Sequence, residues 1–591
     1  MPPATHADSL RAAPRTGDAD GLIPLVIGVT GHRNPDPSVV ASLEVEVERV
    51  LRQLDQRAPN TPFVLLSPLA RGCDRIAARV ALRFRRRVPG MVVRVVAPLP
   101  LSLEDYRRDF ANEAADAAEF EEMLTLVDEH FELPLPSGID RHADHGGVAD
   151  DSRKYCYRRL GLYIAVQSQV MIALWDGVRS GQVGGTSEVV DFCRGNRPPE
   201  AHGSLGGIPF RHSTHRLAPP DQTAVALIPT RRASSPPPMA CAAADEWITE
   251  VRPLLKSLED LNRCLVRVRP PAWTPLMLAA PAPAAVACPW SRLCIRFGSL
   301  DQLGSMKKKS IQRGAIAIPA TFVLAIVAFQ WFAGFGSKDA AHAWIPLAVY
   351  VALLGAAAAM WWTLKVRHRI EWTFVHARAL SEAMRVELAW AGSGVGQVAP
   401  DLYMARRAED VCELRMLLRA ATLESGIVRA RGGAGGCEVR GRKWIEEQVE
   451  YFSGSTIRAR ERRTRRVRVL GICLKGLVAV LSVLLLVIAT VAATVWAEVD
   501  VDYWAVVLCF LVAVALACSV GLSYWQHVTL DWEDVQSAKR MVGVHQRAAS
   551  LITEDPSQAI EVVAAAGREA LDEHADWFVR HRDKLKLPEL G

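Results

Sequence analysis

Four stretches of this chain carry no charged residue over the thickness of a bilayer: residues 315–335, 344–364, 477–496 and 504–524. The first two are 21 residues long, about 31 Å as helix, which is enough to cross the hydrocarbon core. Four such runs rarely occur in one soluble protein, so they read as transmembrane helices rather than buried core helices. Tryptophans mark their ends, at Trp331, Trp344, Trp361, Trp362, Trp496, Trp504 and Trp525, as an interfacial belt requires. Half of the 591 residues are hydrophobic although 23% are charged, so the apolar residues are unevenly spread.

The loops give an orientation. Lys307, Lys308, Lys309 and Arg313 precede the first span, and Lys365, Arg367 and Arg369 follow the second. Arg458, Arg460, Arg462, Arg463, Arg465, Arg466 and Arg468 precede the third. Only Lys338 lies between the first two spans, and "AEVDVD" between the last two is acidic. The positive-inside rule then predicts a multi-pass protein of the inner (plasma) membrane, with both termini and the front half cytoplasmic and two short outer loops. Against a spanning helix, the arginine run is expected to meet anionic lipid headgroups rather than nucleic acid. No ionisable residue lies deep in a span, and Lys475 is near enough to an end to snorkel. That argues against a proton pump or ion-coupled transporter. "GAAAAM" from Gly355 and "ALACSVG" from Ala515 would let helices approach closely, predicting a homo-oligomer or simply a tight hairpin. The layout repeats: basic approach, hairpin, then a helix from Ile370 in the first copy and from Trp532 in the second.

From Leu22 to Arg232 the pattern changes. "IPLVIGVTG", "PFVLLSPLA", "MVVRVVAPL", "QVMIALWDG" and "TAVALIP" read as buried strands. Between them, "PSVVASLEVEVERVLRQLDQRA", "GCDRIAARVALRFRRR", "LEDYRRDFANEAADAAEFEEML" and "GTSEVVDFCRG" read as helices. Alternation with continuous apolar strands predicts an α/β, Rossmann-like, doubly wound parallel sheet, followed by an α-helical membrane region of four transmembrane helices in two hairpins. The expected segments are a disordered tail (1–21), the α/β domain (22–232), a linker with a connecting helix (233–304), the first hairpin with its cytosolic helix (305–391), a cytosolic helical segment (392–457), the second hairpin with its helix (458–555) and a helical tail (556–591). The twelve cysteines are scattered without metal-ligand spacing and read as reduced thiols. No metal and no cofactor is expected. His142 and His145, near Asp140 and Asp144, offer a metal site or a solvated loop.

In such sheets ligands bind at the carboxyl ends of strands, where glycine-rich turns feed helix N-termini. Three turns qualify. The first holds Gly28, Thr30, Gly31, His32 and Arg33, with His32 or Arg33 placed to pair with phosphate. The second holds Arg71, Gly72 and Asp74. The third runs from Trp175, Asp176 and Gly177 to Gly184, Gly185 and Thr186, whose amides would cradle an anion. Glu188, on the first turn of the following helix, would accept from ribose hydroxyls or serve its own helix N-terminus. After the third strand, Arg108 or Asp109 faces the ligand or caps the sheet edge.

"SPLARGCDRIAARVAL" resembles the SGLARGID signature of the DNA-processing protein of natural transformation. "SQVMIALWDG…GGTSEVV" resembles the glycine-rich segment of the Lonely Guy phosphoribohydrolases. Both belong to the SLOG nucleotide-binding superfamily, whose "GVTGHR", "LARGCDR", "YRRDF", "WDG" and "GGTSE" stand here in order. The membrane half resembles the SLATT effectors, transmembrane hairpins with a cytosolic helix. The resemblance implies a nucleotide-type ligand bound by a cytosolic sensor, and a membrane effector in bacterial antiviral or conflict defence. It departs from the Lonely Guy pattern: residues 178–184 are interposed, and Glu188 follows Thr186 by two positions rather than three. The family's upstream arginine falls at Arg158 or Arg159. The departures leave hydrolysis open, while binding is expected. The alternatives are a membrane-anchored nucleotide or N-glycoside hydrolase using Glu188 as acid/base, and a non-catalytic membrane scaffold.

Overall fold

The computed structural model describes residues 19–135, 139, 148–195, 222–233, 246–269, 288–335, 344–364, 369–403, 408–431, 437–494, 502–529 and 531–583. Most of the tail and linker stretches, the His142–His145 loop and all but Asp502 of the two outer loops lie outside the described residues.

The short apolar runs become strands, most of them buried on both faces. β1 (Leu25–Gly31), β2 (Phe63–Leu66), β3 (Val93–Leu99), β4 (Glu129–Glu132), β5 (Val170–Trp175) and β6 (Ala224–Pro229) form one sheet in the order β4-β3-β2-β1-β5-β6. Every pairing is parallel. The chain builds outward from β1 to β4 on one side, then returns to lay β5 and β6 on the other. The strand order thus reverses between β1 and β5, and a crevice opens at their carboxyl ends. Helices α1 (Val40–Arg57), α2 (Cys73–Arg87), α3 (Leu103–Arg107), α4 (Ala114–Leu126), α5 (Asp150–Gln167), α6 (Thr186–Cys193) and α7 (Glu246–Leu265) accompany the sheet. On α1, Leu43, Val47, Val50, Leu51 and Leu54 are buried, one stripe at helical spacing.

Two features differ from the sequence reading. β4 reads "EHFE" and buries only Phe131; as an edge strand it has no apolar run to announce it. The single helix expected over 103–124 is two helices separated by a 3-10 turn at Arg108–Phe110. The bend lets Tyr106, Phe110 and Phe120 pack edge to face and obliquely, with ring centroids 4.5–5.5 Å apart, around the buried guanidinium of Arg75.

The rest is helical: α8 (Pro289–Phe335), α9 (Trp344–Trp362), α10 (Ile370–Ser393), α11 (Ala399–Leu402), α12 (Ala408–Ala421), α13 (Leu423–Ala430), α14 (Cys437–Ser453), α15 (Ser455–Thr494), α16 (Asp502–Thr529), α17 (Asp531–Glu554) and α18 (Ala559–Asp583). Four of these helices, α8, α9, α15 and α16, are long and apolar enough to cross a membrane. Contacts sort the chain into two units: Met1–Leu303 with His376–Trp444 and Ala548–Phe578, and the remainder. The chain passes between the units within α8, α10, α14, α17 and α18.

In the first unit, helices from the far end of the chain complete the α/β domain. Glu424 on α13 is fully buried and takes Arg296 at 2.6 Å, Arg94 of β3 at 3.0 Å and Arg292 at 3.7 Å. Arg292 and Arg431 also hold Glu129 of β4. Trp390 of α10 is buried against α18, its indole N–H donating to Val563 O at 3.1 Å. In the second unit α15 packs along α16. A Cβ on Gly521 would lie 3.0 Å from Pro319, so α16 and α8 meet where only glycine fits closely. Ala515, Ala517 and Ser519 are buried on the same helix, whereas Gly355 faces open space. The Arg463 guanidinium lies over the Trp525 ring at 5.2 Å.

Burial alone would raise the Glu424 carboxyl, but Arg296, Arg94 and Arg292 outweigh it and hold it at about 2. Its folded value lies below the ordinary 4.5. Its stabilisation is therefore complete above about pH 4.5 and drains as pH falls toward about 2. Replacing Glu424 with Ala leaves the buried Arg296 without its carboxylate and Arg94 and Arg292 to share Glu129, and is expected to cost about 3–5 kcal/mol, read as a lower melting temperature of the full chain in detergent at neutral pH. An unchanged melting temperature would mean that Glu129 and the backbone acceptors suffice to hold these arginines.

Candidate functional site

A cavity of about 710 Å³ opens at the carboxyl ends of the strands. Thr30, Gly31, His32 and Arg33 line it from the end of β1, Pro68, Ala70 and Asp74 from the turn after β2, and Trp175 from β5. Gly184, Gly185, Thr186 and Ser187 contribute the start of α6. Tyr106 and Asp109 enter after β3, Arg153, Lys154 and Tyr157 from α5, and Arg232 after β6.

The three glycine-rich turns therefore converge, and each glycine has its own reason. Gly72 has φ +82°, and a Cβ there would stand 2.5 Å from Arg33 O, so the second turn locks against the first. Gly184 has φ +74°, and its Cβ would stand 2.7 Å from the backbone N of Arg158, so the third turn lies directly on α5. Gly28 is inside the sheet, where a Cβ would meet Ser168 Oγ at 2.5 Å, and it does not line the cavity. Gly177 has φ +81° with open space around it.

The polar side chains divide into committed and uncommitted groups. Asp176 is buried; it accepts from Val178 N at 3.0 Å and pairs with Arg232 at 2.7 Å. His32 Nε2 accepts from the Asp176 amide at 3.0 Å and from Arg232 Nε at 3.3 Å. A nitrogen that accepts two hydrogen bonds carries no proton, so His32 is neutral despite lying 3.2 Å from the Asp176 carboxylate. Burial, then the Arg232 charge, lower its pKa in agreement. His32 thus organises the turn rather than supplying a cation. Arg33 stacks on the Tyr157 ring at 5.0 Å, and its guanidinium makes no hydrogen bond or salt bridge among the described residues. Arg153 is held by Asp105 at 2.9 Å and by Asp109 at 2.5 Å, and the Tyr157 hydroxyl donates to Asp109. The exposed Arg71 points to Glu113 at 2.7 Å, outside the cavity.

In the third turn, Gly185 N donates to Gln182 O at 3.1 Å and Gly184 N donates to Glu188 Oε2 at 2.6 Å. Thr186 and Ser187 open α6, and their amides are helix-terminal donors. Glu188 Oε1 pairs with Arg158 at 2.6 Å. Both Glu188 oxygens are therefore engaged at its own helix start, and Glu188 does not line the cavity. The two candidate arginines also separate: Arg158 meets Glu188, whereas Arg159 is buried at 1% exposure. Cys73, beside Gly31, is pushed up to about 12 by burial and is no nucleophile at neutral pH.

Sequence reasoning singled out Asp109 but not Arg153, Tyr157 or Arg232. Arg153 and Tyr157 stand four apart on one helix, a shared face, but α5 follows no strand among those read from the sequence. Arg108 turns to Glu104 and Asp105, and Arg107 to Glu121. Among the described residues no group of three His, Cys, Asp or Glu could hold a metal.

Gly184→Val is expected to push the third turn off α5 and to lower the melting temperature of the full chain in detergent by more than Gly177→Ala, which has the same handedness but free space and costs about 1–3 kcal/mol of strain. Equal melting temperatures would mean that Gly184 is not pressed against α5. No protein-family model matches the chain, and no curated protein matches it.

Proposed function

We propose that the chain is a membrane effector gated by a nucleotide-type signal, which the α/β domain senses in the cytoplasm. The observation that carries this reading is the cavity itself. Three glycine-rich turns and a helix start converge on it, with Arg33 and Lys154 exposed at its walls, in a chain that also holds four bilayer-length helices. Helix-terminal amides and a guanidinium free of ion pairs suit a phosphate, and the volume suits a nucleotide-sized molecule. The order of "GVTGHR", "LARGCDR", "YRRDF", "WDG" and "GGTSE" resembles SLOG proteins and points the same way. A ligand that binds one state of the domain better than another shifts the equilibrium between them. The five passages of the chain between units, each inside a helix, supply the covalent route for that shift. Hairpins that perturb the bilayer or open a pore, as homo-oligomers, would then act in antiviral or conflict defence.

The basic run before the third span favours both termini in the cytoplasm of a bacterial inner membrane, with Arg462, Arg465 and Arg466 exposed toward anionic headgroups. A cysteine introduced at Asp500 is expected to react with an impermeant thiol reagent from outside intact spheroplasts. Labelling only after lysis would overturn this orientation.

One observation favours an enzyme instead. The Arg158–Glu188 pair stands beside the cavity, where a hydrolase of the Lonely Guy type would hold its acid/base. A single experiment separates the readings. Dye-loaded vesicles of anionic lipid containing the full chain are treated with AMP, ADP and ATP, and the supernatant is chromatographed. Dye release with intact nucleotide is expected. Free base without dye release would favour the hydrolase, and neither would favour a scaffold.

A further inference from the structure

We propose that Asp74 selects the ligand of this cavity by donating a hydrogen bond from its protonated carboxyl to an anionic oxygen, so that the sensor releases its ligand as pH rises. The inference rests on the cavity being a site for a phosphate-bearing ligand.

Asp74 stands in the first turn of α2, two residues after the Gly72 that locks two turns together. It is 6% exposed, lines the cavity, and its Oδ1 has no hydrogen-bond partner. Unpartnered buried carboxyl oxygens are rare and costly, and a lone carboxylate is costlier than a lone acid. The surrounding cations are placed elsewhere. On the same helix, Arg75 donates to Leu69 O at 3.0 Å and pairs with Asp116 and Glu119 at 2.6 Å. Arg33, from the β1 turn, lies on Tyr157 of α5. Arg153 of α5 is held by Asp105 and Asp109.

The other titratable groups facing Asp74 do not supply a charge to pair with it. His32 is neutral, Cys73 stays a thiol, and Tyr106 of α3 is a fully buried phenol whose hydroxyl donates to Pro68 O at 3.2 Å. Asp109 also lines the cavity, paired with Arg153. Burial accordingly pushes Asp74 up to about 8, against the opposing pull of Arg33, Arg75 and a hydrogen bond from the Ala70 amide to its carboxyl. At neutral pH the group is a donor as well as an acceptor. A phosphate oxygen beside it gains a hydrogen bond below that value and meets a like charge above it. Arg33 leaves the Tyr157 face to meet the same anion at little cost, since it gives up no ion pair.

The test is the affinity of the full chain, in detergent, for AMP, ADP and ATP from about pH 7 to about 9.5, a window in which the phosphates stay ionised. Wild type is expected to weaken about tenfold per pH unit above about 8. Asp74→Asn, a permanent donor of similar shape, should lose the pH dependence, its affinity staying flat across this window. A flat or rising wild-type profile would overturn the inference while leaving nucleotide binding intact, and it requires no variant to fold. The same slope in Asp74→Asn would overturn it too, by assigning the titration to another group. Absence of binding at every pH would remove the nucleotide reading and this inference together.

Discussion

One buried carboxylate, Glu424, holds the first unit together. It lies on α13, more than three hundred residues after the strand whose Arg94 it binds, and it also receives Arg292 and Arg296 from α8. Taking a carboxylate and the guanidinium groups of Arg292 and Arg296 out of water is expensive, and it is tolerated only where the charges satisfy each other. Glu129 of β4 shares Arg94 and Arg292 and adds Arg431, so the edge of the sheet and the returning helices form one network. The network fixes which helices close the α/β domain. Apolar packing alone is less selective, because many helix faces would cover the same sheet.

Charge is distributed at the candidate site by a similar rule. Asp176 gathers Arg232 and orients His32, and Asp109 gathers Arg153 and Tyr157. These pairs build rigid walls, while Arg33 and Asp74 are left without such partners. The membrane helices follow a simpler constraint. In hydrocarbon every backbone N–H and C=O must be satisfied within the segment, which is why four uncharged runs can be helices and nothing else of their length.

The physical signals in the sequence were unequal. Strands β1, β2, β3 and β5 are buried on both faces and read as continuous apolar runs, and β6 reads as one although only alternate residues are buried; β4 buries one residue of its four and has no such signal. The turns around Gly31, Gly72 and Gly184 were legible because only glycine permits such close approach. The sequence did not show which glycine mattered most. It marks Gly184, Gly185 and Thr186 together as an anion cradle; Gly184 is the one pressed against α5, and Gly185 N donates to Gln182. The commitment of Glu188 to Arg158 and to its own helix start depends on α5 crossing the turn, a tertiary fact without a local signature. The same holds for Arg232, which reaches Asp176 across 56 residues of chain that local pattern cannot bridge.

The central claim is that the cavity at the ends of β1, β2 and β5 receives a phosphate-bearing ligand. The most direct measurement is an electron cryomicroscopy structure of the full chain in lipid nanodiscs, incubated with a nucleotide mixture. The account predicts density in that cavity, with a phosphate within hydrogen-bond reach of Arg33 and of the Thr186 and Ser187 amides. An empty cavity with nucleotide density elsewhere on the chain would contradict it.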